Sequence, residues 1–136
     1  MQPAGRYGTN HYGVRRDGPF GRRNYTVVYA IDCPDISRLK FGRTLKIEKR
    51  FAAIRSISPA PVILLGYAWM PDETEAQIFD FLKADRCHGE WFHRTEPVRS
   101  IAALLASGKL TELAVAIGME GLIPQDVPSN VSWGVR

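Results

Sequence analysis

The chain is poor in cysteine: Cys33 and Cys87 are its only two, far apart and in unlike contexts. That usage argues against a disulfide scaffold and for thiols that stay reduced. Long apolar runs are also missing. No stretch approaches the ~20 residues of a membrane span, and the amino terminus lacks the apolar core of a secretory leader. These absences predict a cytoplasmic protein with no membrane partner. Paired metal-binding motifs are absent as well. Cys87, His88, Glu90 and His93 cluster as zinc ligands do, but a structural zinc site needs four ligands in a closed geometry, usually brought in pairs from two segments. No second pair exists elsewhere, which sets zinc aside. No internal repeat is visible.

What is present suits one globular domain: 136 residues, of which 45% are hydrophobic, suffice for a real core. The net charge of +4 is unevenly placed. Residues 1–24 hold Arg6, Arg15, Arg16, Arg22 and Arg23 against the single acid Asp17, so the remaining chain is neutral. Tyr7, His11, Tyr12 and Phe20 are interleaved with glycine and proline there, a mix that resists regular structure. The segment is expected to be a flexible basic arm. Arginines among aromatics suit phosphate contact and base stacking, with Arg15, Arg16, Arg22 and Arg23 as the candidates. A solubilising leader or a packing strap is the competing reading.

From Tyr25 the pattern becomes regular. Tyr25 to Ile31 is dense in β-branched and aromatic residues and is closed by Asp32, Cys33 and Pro34, which predicts a strand and a loop. Leu39 to Gly42 predicts a short second strand, joined to the first as an antiparallel hairpin that sets Tyr29 beside Lys40. Ile47, Phe51 and Ile54 follow helical spacing, with Arg50 at the border of their apolar stripe. Val62 to Trp69 is nearly all apolar and predicts a central strand buried on both faces. Asp72 is placed to cap a helix running to about Ala84, in which Glu75 either completes a capping box or points inward with Ile78 and Phe79. Gly89 to His93 is an aromatic-rich strand or turn. Further helices are expected over Pro97–Ser107 and Thr111–Ile117, stopped by Gly108 and Gly118. Residues 119–136 are expected to be an irregular tail. The class is α+β, with a small, mainly antiparallel three-stranded sheet flanked by helices.

Tyr29, Lys40, Arg50 and Glu75 supply a phenol, two cations and an acid, which is a plausible set for phosphodiester hydrolysis. Their order carries a resemblance. Val27-Val28-Tyr29, Lys40-Phe41-Gly42-Arg43-Thr44, Arg50, Glu75, Arg86 and Gly89-Glu90-Trp91-Phe92 resemble, in sequence order and spacing, the GIY-YIG endonuclease superfamily. The likeness is to its phage-associated branch with KIGRT-like and GEWF-like segments. It spans Tyr25 to about Arg94, roughly half the chain, and excludes the arm and the carboxy-terminal region. Val27 takes the place of the family's first glycine, and Lys40 that of a tyrosine.

The resemblance implies a GIY-YIG-like nuclease domain over residues 25–118, including a helical extension. It implies hydrolysis of phosphodiester bonds in DNA, with RNA as a further possible partner. Tyr29 would orient or deprotonate the attacking water, and a nearby Lys40 ammonium would lower the phenol's pKa. Glu75 would hold Mg²⁺ or Mn²⁺, Arg50 would brace the phosphate, and Arg43 would touch a flanking phosphate. Phe79 stands where that branch often carries a histidine. A noncatalytic nucleic-acid-binding module on the same scaffold is therefore the alternative.

Overall fold

Nine successive residues, Tyr25 to Cys33, are buried, and a strand can bury both of its side-chain rows only inside a sheet covered on both faces. In the computed structural model, which describes residues 13–122, that strand is the axis of the molecule. The order is β1 (Val14–Gly18), β2 (Gly21–Cys33), β3 (Arg38–Thr44), α1 (Ile47–Ile57), β4 (Ile63–Pro71), α2 (Thr74–Phe81), β5 (Arg86–His88), β6 (Trp91–His93), α3 (Glu96–Ala106) and α4 (Leu110–Ala116). Every strand pairing is antiparallel: β2 pairs with β1, β3 and β4, β3 with β6, and β6 with β5. The class is α+β.

Alternation along β2 divides the core in two. Val28 and Ala30, with Leu39 and Phe41 of β3, join the larger cluster, to which α2, α3 and α4 contribute Ile78, Ile101, Leu105 and Leu113. Tyr29, Ile31 and Cys33 join a smaller one with Ile54 of α1, against which Ile47, Phe51 and Trp91 pack. At the end of β2, the buried Asp32 receives Nε and Nη2 of Arg94 at 3.2 and 3.1 Å. That forked pair anchors the segment leading from β6 into α3. No helix among the described residues is long and apolar enough to cross a membrane.

Four expectations are corrected. Residues 14–24 are not a flexible arm but a β-ribbon of β1 and the start of β2, closed by Pro19 and Phe20. Its glycines build it. A Cβ at Gly18 would lie 2.6 Å from Tyr25 Oη, so the bare backbone is the seat of that ring. The seated phenol accepts from Phe20 N–H at 2.9 Å and donates to Gly21 O at 2.8 Å, locking the turn. The part of the expected arm before residue 13 lies outside the described residues.

The sheet has six strands among the described residues, not three, because the ribbon and the short β5–β6 hairpin extend it. The apolar run Val62–Trp69 is not central either. β4 pairs only with β2, and Ile63 and Leu65 stay 51% and 37% exposed. A continuous apolar run indicates packing against something, and for β4 much of that something is α3. A Cβ at Gly66 would sit 2.6 Å from Ala106 Cα, so strand and helix backbones touch there. At the carboxy-terminal side, order passes the expected boundary at 118. Met119 is buried in the larger core and Glu120–Leu122 form a 3₁₀ turn, while the expected tail from 123 lies outside the described residues.

The Gly66 contact gives a test of the packing. Gly66→Ala must push two backbones apart, and is expected to lower the free energy of unfolding by about 1–3 kcal/mol in chemical denaturation. An unchanged midpoint would contradict the contact.

Candidate active site

Tyr29 is fully buried, and its direct cross-strand partner is Gly42. A Cβ at residue 42 would lie 2.3 Å from Tyr29 Oη and 2.5 Å from Cζ, so the ring lies across the glycine and no larger residue fits beneath it. Oη meets no partner in good hydrogen-bond geometry, although the Arg50 guanidinium lies close enough to act on it. A buried hydroxyl left unpaired costs about 1–3 kcal/mol, and is unusual enough to require an explanation.

Around that phenol the fold gathers charge. Lys40, two residues before Gly42 and on the same side of β3, donates from Nζ to Glu90 Oε1 at 2.8 Å and lies 5.4 Å over the Trp91 ring. Glu90 is delivered by the β5–β6 turn. Gly89 adopts φ +59° in that turn, and Phe41 N–H donates to Glu90 O at 3.3 Å. On the other side of Gly42, Arg43 donates to Asp72 Oδ1 and to Asp72 O, both at 2.9 Å, and its Nε lies 3.3 Å from Glu75 Oε1. Arg50 projects from α1 as an exposed side chain near enough to act on both Tyr29 and Glu75. Tyr29, Lys40, Arg50 and Glu75 are therefore brought into one electrostatic neighbourhood from β2, β3, α1 and α2.

Burial dominates the protonation states. The Tyr29 phenol is pushed up to about 12, first by desolvation and then by the Glu90 charge, with Arg50 acting against the rise. The expectation that Lys40 lowers the phenol's pKa is corrected: its ammonium is engaged by Glu90, whose negative charge works the other way. Tyr29 thus keeps its proton at physiological pH. Glu75 is pushed up to about 7 by desolvation and the Glu90 charge, against the pull of Arg43, Lys40 and Arg50. Asp72 is also raised by burial, despite Arg43.

The first turn of α2 differs from the capping-box reading. Its N-cap is Glu73, with no side-chain cap bond, and Asp72 instead spends its carboxylate on Arg43. Glu75 is free of capping duty and half-buried, its side chain 16% exposed. Two participants were under-read in the sequence. Glu90 is a direct partner of Lys40, and Asp72 positions Arg43; the Gly89-Glu90 turn before Trp91 was the available signal for the first, and nothing local signalled the second. Phe79 packs edge-on against Phe92 at 5.3 Å, with the Arg86 guanidinium 5.0 Å from its ring, so it serves the larger core.

The ribbon arginines divide. Arg16 stacks over Trp69 at 4.8 Å, Arg23 reaches Glu73 at 3.4 Å and Phe20 O at 3.0 Å, and Arg15 and Arg22 are exposed. Arg22 has only a loose contact to Asp17 at 3.7 Å.

Among the described residues no three His, Cys, Asp or Glu side chains gather as a ready-made metal cage. A Mg²⁺ or Mn²⁺ ion at a phosphate does not require one, since one or two carboxylates suffice beside water and phosphate oxygens. Glu75 and Glu90 fit that demand. The Glu90 charge makes ionising Glu75 costlier, and a bound cation would relieve that cost. No family model, characterised protein or solved structure matches the chain. The reading of the site therefore rests on its own residues.

The raised Glu75 pKa has a stability consequence of defined sign. Because the folded value of about 7 exceeds the ordinary carboxyl value of 4.5, the contribution is fully present below the unfolded pKa and is lost as pH rises through 7. In metal-free buffer, the wild type is expected to lose about 2 kcal/mol relative to Glu75→Gln between pH 5 and pH 8.5. Parallel stability curves for the two proteins would show that Glu75 ionises without penalty.

Proposed function

We propose that this protein is a metal-dependent endonuclease of the GIY-YIG type that hydrolyses phosphodiester bonds in DNA. The observation that carries the reading is the Tyr29 phenol, buried across Gly42 without a well-formed hydrogen bond and close enough to Arg50, Glu75 and Glu90 to feel their charges. The hydroxyls of Thr74 and Thr95 are buried and unpaired too; what supports a role for Tyr29 is the charge of both signs close to it, which a phosphate can use.

In this reading the ion pairs describe the resting state. A phosphodiester offers Lys40 and Arg43 anionic oxygens in place of Glu90 and Glu75, and the same exchange frees the carboxylates. Arg50, exposed on α1, braces the phosphate as negative charge builds on its equatorial oxygens. Tyr29, neutral at physiological pH, donates its proton in a hydrogen bond and thereby orients the incoming water or the oxygen it attacks. Water adds to phosphorus, one P–O ester bond breaks, and the departing oxygen takes up a proton. Glu75 and Glu90 would hold Mg²⁺ or Mn²⁺, which when bound offsets charge on the phosphate and acidifies a water. The exposed Arg15 and Arg22 of the ribbon add backbone affinity without reading sequence.

A second reading keeps the binding surface and drops the chemistry. Its support is that Tyr29 has no exposed surface in this state, so catalysis requires the surrounding pairs to open. Supercoiled plasmid separates the two. With Mg²⁺ the wild type is expected to nick or linearise it, and Glu75→Ala or Arg50→Ala to slow this by about 10²-fold or more, as loss of a transition-state charge partner does. Salt-sensitive binding without cleavage under Mg²⁺ and Mn²⁺ would leave the binding module instead.

A further inference from the structure

Lys40 also lines a cleft of about 360 Å³ between the carboxy-terminal end of α1 and strands β3, β5 and β6. That volume is at the small-ligand end of binding pockets, which run from about 300 to 1,000 Å³. Its character is split. Ile54, Ile57, Pro59 and Trp91 make apolar walls, and Arg38, Lys40 and His88 bring positive or protonatable groups to the same space.

Two features of the lining are unexplained by folding. Ile57 ends α1 with 81% of its surface exposed, so this large apolar side chain adds almost nothing to the core. Arg38 donates to Cys87 Sγ at 3.1 Å and to the carbonyls of Ile36 and Ser37 at 3.0 and 3.3 Å, all neutral acceptors. None of the ion pairs among the described residues includes it. A flat apolar slot beside an uncompensated guanidinium matches a ligand with an aromatic face and an anionic group.

Resting on the nuclease reading above, we propose that this cleft receives one unpaired nucleotide of the bound DNA strand. Its base lies against the apolar walls of Ile54, Ile57 and Pro59, and its phosphate faces Arg38 and Lys40. A base inside a duplex has both faces stacked and cannot enter; a bulged or single-stranded base can, and apolar contact does not depend on which of the four it is. Because Lys40 both lines the cleft and pairs with Glu90 beside the candidate site, the nucleotide in the cleft is a near neighbour of the bond to be cut. The preferred substrate is then DNA with an unpaired nucleotide near the cut.

The test uses the full chain in Ca²⁺ buffer with short DNA duplexes, identical except that one carries a single bulged 2-aminopurine. The bulged duplex is expected to bind about tenfold more tightly, with a change in 2-aminopurine emission. Ile57→Asp and Arg38→Gln, each verified by thermal melting to be folded, are expected to remove that preference and leave paired-duplex affinity within about twofold. Equal binding of the two duplexes by wild type would overturn the proposal, as would variants that weaken both duplexes alike. If the protein cuts paired plasmid yet shows no preference, only the cleft proposal falls. If it binds no nucleic acid at low salt, the nuclease reading falls with it.

Discussion

The candidate site depends on one steric fact: Gly42 has no side chain where the Tyr29 ring must lie. A two-sided sheet forces Tyr29 into the smaller core, and the missing Cβ lets the phenol run across β3 until its hydroxyl meets the charged groups near α1 and α2. The hydroxyl gains no well-formed hydrogen bond there, only the nearby Arg50 guanidinium. The fold tolerates that cost because the ring itself is fully buried and contributes apolar area on every other side. A polar atom held by an apolar body is pre-positioned without being satisfied, which is the condition a binding site needs before its ligand arrives.

The same logic extends outward through a continuous set of contacts. Asp72 N–H donates to Asn24 O at 2.9 Å, where the ribbon joins the sheet; Asp72 holds Arg43, and Arg43 meets Glu75. The ribbon with its exposed arginines is thus fixed in register with the candidate site rather than tethered to it. On the opposite flank, Lys40 joins the site to the cleft under Ile57. Charge is distributed accordingly. Cations and acids are balanced at the centre, and the surplus positive charge lies on the ribbon, as long-range attraction of a polyanion requires.

Much of this was legible in the chain. The β2–β3 hairpin, the helix carrying Ile47, Phe51 and Ile54, and the stops at Gly108 and Gly118 follow from local periodicity and turn chemistry, which are short-range signals. The grouping of Tyr29, Lys40, Arg50 and Glu75 was likewise readable from order and face. What was not readable depends on long-range packing. Glycine and proline in residues 14–24 look like disorder until Tyr25 is seen to sit on Gly18, and β4 looks central until β2 takes that place. Nor does spacing reveal that Glu90 reaches Lys40 first and that its charge, with burial, raises the phenol's pKa instead of lowering it.

The account turns on whether the Tyr29 hydroxyl acquires its partner from bound nucleic acid. The direct measurement is the ¹³C resonance of Tyr29 Cζ, assigned by its disappearance in Tyr29→Phe, with and without a short duplex in Ca²⁺ buffer. A shift of that resonance on binding, at unchanged positions for the Tyr25 signal, is the predicted result. Binding that leaves Tyr29 Cζ unmoved would contradict it and reduce the phenol to a packing residue.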